Sequence, residues 1–461
     1  MKGTFPMSNE KRTTIAYIGG GSINFGWQLF SELANEEIFA AVNLYDIDKK
    51  LSLNNEVIGN NLREHPDNKS DIIYLATDTP EEALKNADIV ILSITVGSIE
   101  EMTSELTLPE AYGIYQSTGE YTGPSGVIRT LKTLPVYIKY AELIKKYCPD
   151  AWVINLTNPM SECIQIMYNV FPDIKIFGST NELFQCLELL AGIVEIEKGI
   201  RHVKRRDIKY NLLGINGFNW FDKISYNGED IMPLFRKYAE KYCKDGFELH
   251  QNDYKINPKN SANKIKFDLF LRYGLIPAVP DRVVADFCPT WYLKSPTTIN
   301  EWKFSQTSVN YIKKINIDRA SRVKSLMNGA DYLKIGGNST ECVLQIRALL
   351  GSGNLITNIC SKNNGQVSNL PENSIVSSNA LISKNCVQPV SSGTLPDEIY
   401  ALTIRHIMNQ KTLVKAVIEK DLDIAFNAFV NDPLMSADLT TATELYKQLL
   451  SDVRKHLVYY C

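Results

Sequence analysis

The chain has 461 residues, a net charge of −3 with acids and bases intermixed, and nine cysteines without paired spacing. That length can bury a large core and divide into two lobes, and the charge balance excludes nucleic acid and membrane surfaces as general partners. No apolar run is long enough for a membrane span, no Cys-x-x-Cys pair suggests structural zinc, and the start MKGTFPMSNEKR lacks a signal peptide's apolar core. A cytoplasmic protein with reduced thiols is expected.

An apolar strand, Ile15 to Ile18, runs into Gly19, Gly20, Gly21 and Ser22. A helix follows with Phe25, Leu29, Phe30 and Leu33 on its buried side, and a second strand, Val42 to Tyr45, ends at Asp46. Strand, glycine turn, helix, strand, acid is the order of a dinucleotide-binding unit. The glycines let backbone approach a pyrophosphate at the helix N-terminus, and the acid accepts from a ribose diol, favouring NAD over NADP. The third glycine is displaced, with Asn24 in its usual place and Gly26 two residues on. An ordinary tight turn is the bland alternative, and the surrounding context argues against it.

A helix is predicted over Lys50 to Arg63, a strand over Ile72 to Ala76, and a cap at Asp78, Thr79 and Pro80 before Glu81 to Lys85. The apolar, β-branched run from Ile89 to Thr95 reads as a strand covered on both faces, hence parallel. Gly97 to Gly126 is rich in turn residues and reads as a long loop. A helix from Val127 to Tyr147, a strand from Ala151 to Leu156, a helix from Met160, a strand from Ile174 to Phe177 and a helix from Glu182 continue the alternation. The fold class is therefore α/β, with an N-terminal Rossmann-like parallel sheet over 13–200. Ligands gather at the carboxyl ends of such strands, which brings Thr95, Asn158, Thr180 and Asn181 to the cofactor side. From Arg201 the rhythm changes to a mixed α+β lobe, 201–461. Strands are expected at Ile208 to Ile215 and Ser374 to Leu381, and helices at 231–246, 263–274, Thr340 to Leu350 and Glu398 to Phe429.

A series of spaced motifs then carries a resemblance. GIYQSTGEYTGPSGVIRTLKTLP, CPDAWVINLTNPM, LLGINGFNWF, RYGLIPAVPDRVVADF and NAFVNDPL together resemble glycoside hydrolase family 4, most closely its α-galacturonidase branch, over roughly Thr13 to Leu449. The resemblance implies a homodimer or homotetramer that uses NAD, usually with Mn2+, and acts on a sugar or sugar acid. It also implies hydrolysis by transient oxidation at carbon 3, loss of the carbon 2 proton, departure of the glycosidic oxygen, addition of water and re-reduction. The two-carboxylate route of other glycosidases is different.

Cofactor binding is assigned to Gly19, Gly21, Ser22, Ile23, Asp46 and Thr95. By the resemblance, Asn158 lies near sugar and nicotinamide, and Arg129 and Arg282 match arginines suited to a galacturonide carboxylate. Tyr273 falls in the segment that supplies the family's tyrosine base, and Asn181 is the second catalytic candidate. Structural readings stand beside these. Asn158 and Asn181 each suit a helix cap, Arg282 suits a surface pair with Asp286, Tyr273 suits core packing, and Cys163 and Cys186 suit buried thiols.

The departures fall at the chemistry. The resemblance implies Cys-His where this chain has Thr180-Asn181, Asn-His where it has Asn216-Gly217, and Asp-Arg-His where it has Asp281-Arg282-Val283. Thr180 and Gly217 cannot replace a thiolate and an imidazole, so no metal ligand is assigned. Two further classes stay open: a catalytically silent relative binding NAD and a sugar acid, and a metal-independent sugar dehydrogenase.

Overall fold

The computed structural model describes residues 12–249, 257–337 and 340–460. Its first half alternates β1 (Thr13–Ile18), α1 (Phe25–Leu33), β2 (Phe39–Tyr45), α2 (Lys49–Asn61), β3 (Asp71–Ala76), α3 (Pro80–Leu84) and β4 (Ile89–Leu92). There follow α4 (Ile99–Ala111), α5 (Gly123–Tyr147), β5 (Trp152–Asn155), α6 (Met160–Val170), β6 (Lys175–Gly178) and α7 (Phe184–Lys198). These six strands are parallel and lie in the order β6-β5-β4-β1-β2-β3, the doubly wound arrangement expected for the N-terminal part. All four residues of β4 are buried, as its unbroken apolar run requires.

The second half holds β7 (Ile208–Ile215), β8 (Phe218–Tyr226), β9 (Glu229–Asp230), α8 (Met232–Tyr242), α9 (Lys264–Tyr273), β10 (Ile276–Pro277) and α10 (Asp281–Phe287). After them come α11 (Pro296–Glu301), α12 (Val309–Met327), α13 (Cys342–Leu349), β11 (Leu355–Lys362), β12 (Ile375–Ser383) and β13 (Cys386–Pro389). The described chain closes with α14 (Asp397–Glu419), α15 (Leu422–Val430) and α16 (Leu439–Asp452). The second-half strands pair antiparallel and extend the same sheet, with β11 meeting β6 at Cys360 and Gly178. One apolar layer packs α5, α6 and the three closing helices on one face, and another packs α1, α2 and α13 on the other.

Several local expectations need correction. The stretch read as a long loop contains α4, and only 97–98 and 112–122 remain irregular. Ser98 Oγ accepts from Glu101 N at 3.3 Å and Glu101 Oε2 accepts from Ser98 N at 3.2 Å, a capping box that starts this helix despite Pro109 within it. The strand expected to reach Thr95 stops at Leu92, leaving Thr95 exposed in the loop. The helix expected from Glu182 starts at Phe184, and the one expected over Glu398 to Phe429 is broken at Lys420, which is left-handed at φ 58°. The cap at Thr79 is present: its Oγ1 accepts from Glu82 N at 3.2 Å.

Candidate active site

The glycine turn is built by backbone demands. Gly19 and Gly20 N–H groups both reach Tyr45 O at 2.9 Å, tying the turn to the end of β2. Gly19 has φ +92°, and a Cβ there would lie 1.9 Å from Ser93 O, so only glycine fits. Asp46 Oδ2 accepts from Gly21 N at 3.0 Å and Oδ1 from Asp48 N at 3.0 Å. Ser22 Oγ accepts from Phe25 N at 3.2 Å, and half-buried Ile23 packs nearby against the core. Gly26, by contrast, lies in α1 where a Cβ would meet neighbours at an ordinary 3.6 Å. Its displacement leaves the turn intact. The buried Asn55 completes the turn: its Nδ2 donates to Gly20 O at 2.8 Å and Ser22 O at 3.1 Å, while Trp27 Nε1 donates to its Oδ1. Sequence reasoning missed Asn55 because an asparagine within a helix carries no signal of a tertiary partner.

A second cluster lies around the carboxyl ends of β5 and β6. Asn158 Nδ2 donates to Glu120 Oε2 at 3.2 Å, and Arg129 Nη1 stands 4.0 Å from Glu120 Oε1. The Glu120 side chain is 42 % exposed and that of Arg129 17 %, so the pair borders open space. Neither asparagine caps as expected. Pro159 is the N-cap of α6, without a side-chain bond, and Asn181 Oδ1 accepts from Glu341 N at 3.2 Å.

Arg282 is not a surface residue. Its Nη2 donates to Ser117 O at 3.5 Å and to Thr307 Oγ1, and burial lowers its pKa. Asp286, one turn on, is spent on the 117–119 loop: it accepts from Ser117 N at 2.6 Å, Thr118 N at 2.8 Å and Gly119 N at 3.4 Å. The loop that precedes Glu120 and Tyr121 is thus clamped by α10.

Glu182 joins this assembly from the other side. It accepts from the Tyr121 hydroxyl, from Asn216 Nδ2 at 3.2 Å and from Gly217 N at 3.2 Å. Burial raises its pKa, against the pull of those hydrogen bonds. Burial, and then the carboxylates of Glu182 and Glu120, push the Tyr121 phenol up as well. Glu120, Tyr121 and Glu182 were missed. An acid just past a parallel strand was the available signal for Glu182, the same signal that singled out Asp46.

Thr180, aligned with the cysteine ligand, accepts from Glu182 N through Oγ1 at 3.2 Å, and Val283, aligned with the histidine of the Asp-Arg-His motif, is buried among apolar neighbours. Gly217 has φ +78°, and a Cβ there would sit 2.5 Å from the Phe287 ring. Among the described residues no group of three or more His, Cys, Asp or Glu is arranged to hold a metal ion. Tyr273, at the end of α9, has its ring edge-on to Trp220 at 6.3 Å. Trp220 packs on Phe218 and Phe218 stacks on Phe287, so two rings intervene before the one beside Gly217. Cys163 and Cys186 are buried, as expected.

Several polar atoms around Asn158 and Arg282 are buried without a hydrogen-bond partner: Ser117 Oγ, Asn158 Oδ1, Asn216 Oδ1 and Arg282 Nε. Such groups are costly unless a ligand or water satisfies them. Acceptors and donors set together in this way suit a polyhydroxylated ligand with an anionic group.

This doubly wound sheet with its glycine turn is that of a glycosidase: the chain belongs to glycoside hydrolase family 4. The family 4 glycosyl hydrolase signature matches residues 14–196, and that of its C-terminal domain matches 212–435. Within the family the chain is similar to α-galacturonidases. That of Thermoanaerobacterium saccharolyticum is 45 % identical over 96 % of this chain and 96 % of its own. A crystal structure of a Bacillus subtilis protein described as a glucosidase superposes with a TM-score of 0.91 at 42 % identity, covering 95 % of this chain and all of that one. A 6-phospho-α-glucosidase from gut microorganisms, solved with NAD and Mn2+, shares the fold at a TM-score of 0.77 and 18 % identity, over 97 % of this chain and 99 % of its own.

Proposed function

We propose that this chain is an NAD-dependent glycosidase of α-galacturonides that works without a resident metal. The observation that carries the reading is the set of orphaned polar atoms at Ser117, Asn158, Asn216 and Arg282, beside the Arg129–Glu120 pair. Arg282 and Arg129 hold the uronate carboxylate, for which a guanidinium is the matched partner. Asn158 Oδ1 accepts from a sugar hydroxyl, and the Asp286 clamp keeps the loop under that sugar in place. The similarity to α-galacturonidases supports the same substrate class.

The turn fits NAD. Gly19 leaves no room for a side chain, the start of α1 carries no acid, and Asp46 is half-exposed beside Gly21. When bound there, NAD supplies a hydride acceptor for carbon 3, so that hydrolysis consumes no outside oxidant. The metal does not fit: Gly217 offers no side chain and the space beside it is taken by Phe287, while Thr180 is turned to Glu182 N. We place the protein in a reducing cytoplasm as a homo-oligomer. Among the described residues the cysteines are free and no helix is long and apolar enough to cross a membrane.

The test is a panel of α-hexuronides incubated with the dialysed protein and NAD. Release of galacturonic acid is expected. Accumulation of NADH with no hydrolysis would identify a sugar dehydrogenase, and binding of NAD and galacturonic acid without either product a silent relative. Thermal shifts with NAD present should show stabilisation by galacturonic acid and not by galactose.

A further inference from the structure

Tyr273, the position expected to carry the reaction's base, packs edge-on against Trp220, and among the described residues its ring contacts include none of the polar groups around Glu120 and Glu182. A different tyrosine lies among those groups. Tyr121 follows Glu120, which holds Asn158, and its ring packs on Phe287 beside Gly217. Its hydroxyl donates to Glu182, whose carboxylate is held by Asn216 Nδ2 and Gly217 N. The segments that would carry metal ligands in the family thus carry a proton acceptor fixed by three donors.

We propose that Tyr121, with Glu182 as its proton acceptor, is the base that takes the proton from carbon 2 of the sugar. The assignment rests on the glycosidase reading above. Once carbon 3 is a ketone, the C2–H bond breaks and its proton forms an O–H bond on Tyr121, while the phenolic proton passes to Glu182. The electron pair left on carbon 2 forms the C1–C2 double bond as the C1–O bond breaks. The departing oxygen takes a proton from water. The return sequence adds the resulting hydroxide to carbon 1 and sends the Glu182 proton back through Tyr121 to carbon 2. The hydride taken from carbon 3 returns last, and O3 regains from water the proton it gave to water when the ketone formed, so atoms and electrons balance.

A relay of this kind needs its acceptor within hydrogen-bond reach of the phenol, and Glu182 accepts directly from the Tyr121 hydroxyl. Glu182 lies too far inside its ring of donors to be assigned contact with the sugar. It is a positioning and accepting residue, and Tyr121 is the group placed to touch substrate.

The experiment uses the full chain in deuterated water with NAD and galacturonic acid. NADH absorbance reports oxidation at carbon 3, and loss of the carbon 2 proton signal by NMR reports exchange with solvent. Wild type should show both. Tyr121→Phe should bind galacturonic acid as tightly by calorimetry and keep NADH formation, yet lose exchange by about 100-fold or more, as expected for removal of a general base. Tyr273→Phe should keep both signals. Glu182→Gln should slow exchange selectively, with Glu182→Asp recovering part of it, which gives a second route if Tyr121→Phe folds poorly. Exchange at the wild-type rate in Tyr121→Phe, or its loss in Tyr273→Phe, overturns the assignment. If wild type forms no NADH although NAD binds, the glycosidase reading itself fails and the assignment with it.

Discussion

Asp286 holds Ser117 across 169 residues of sequence, accepting its N–H at 2.6 Å, and also takes Thr118 and Gly119. Replacing it with alanine leaves those buried N–H groups unmatched. Asp286→Ala should cost on the order of 3 kcal/mol in stability by denaturant unfolding. Galacturonic acid affinity should fall more than NAD affinity, because the clamped loop borders Arg282 and Glu120 and not the glycine turn. Equal losses in both affinities would contradict this division.

Asp46 latches the glycine turn through Gly21, and in the proposed reading it also faces the ribose. NAD should therefore bind at least about tenfold tighter than NADP by calorimetry, since a carboxylate repels a 2′-phosphate. Asp46→Arg should weaken NAD, and it should gain less NADP affinity than a charge swap alone predicts, because the Gly21 N–H loses its acceptor. Equal binding of both cofactors by wild type would remove the assignment.

Elemental analysis after dialysis should find no stoichiometric manganese, nickel or cobalt, and a chelator should leave activity unchanged. Gly217→His should not restore a metal. It places a side chain at φ +78° and 2.5 Å from the Phe287 ring, so its melting temperature should fall. A tightly held metal in wild type would show that other residues coordinate it.

Glu162 is buried at the start of α6, where burial raises its carboxyl to about 8. It lines a small cavity with His406, Asp432 and the Tyr121 side chain. The folded state keeps this proton while the unfolded chain has lost it. Stability should therefore fall as pH rises from the ordinary carboxylate range to about 8, by about 1.4 kcal/mol per pH unit, and level off above. Glu162→Gln should lose this slope. Comparing the two proteins cancels the opposite trend from His406, whose pKa burial lowers. Parallel melting curves against pH would refute the assignment.

The parallel half was legible because each strand was an apolar run ending at a turn, as with Ile15 to Gly19 and Ile89 onward. The helix α4 was also written in the chain, in the Ser98-to-Glu101 capping box, but its turn-rich neighbours drew attention away from it. Arg129, Asn158 and Arg282 were named by motif; the first two meet at Glu120, and Arg282 holds Ser117 O. What stayed hidden was pairing across distance. Nothing local in Asn55 or Asp286 distinguishes a solvated polar residue from one that fixes a turn or a loop. Those roles exist only once the sheet has brought their partners together.

The seam between β6 and β11 is one residue pair wide, Cys360 against Gly178, and a Cβ on Gly178 would come 2.3 Å from the Met160 sulfur. A fragment cut near residue 200 would leave β6 as a bare strand edge and strip α5 and α6 of the closing helices that cover them. The parallel half is therefore not a transplantable module. Grafting it onto another scaffold would require carrying β11 and β12 along, and exchanging halves with a relative would have to preserve this tight crossing at Gly178.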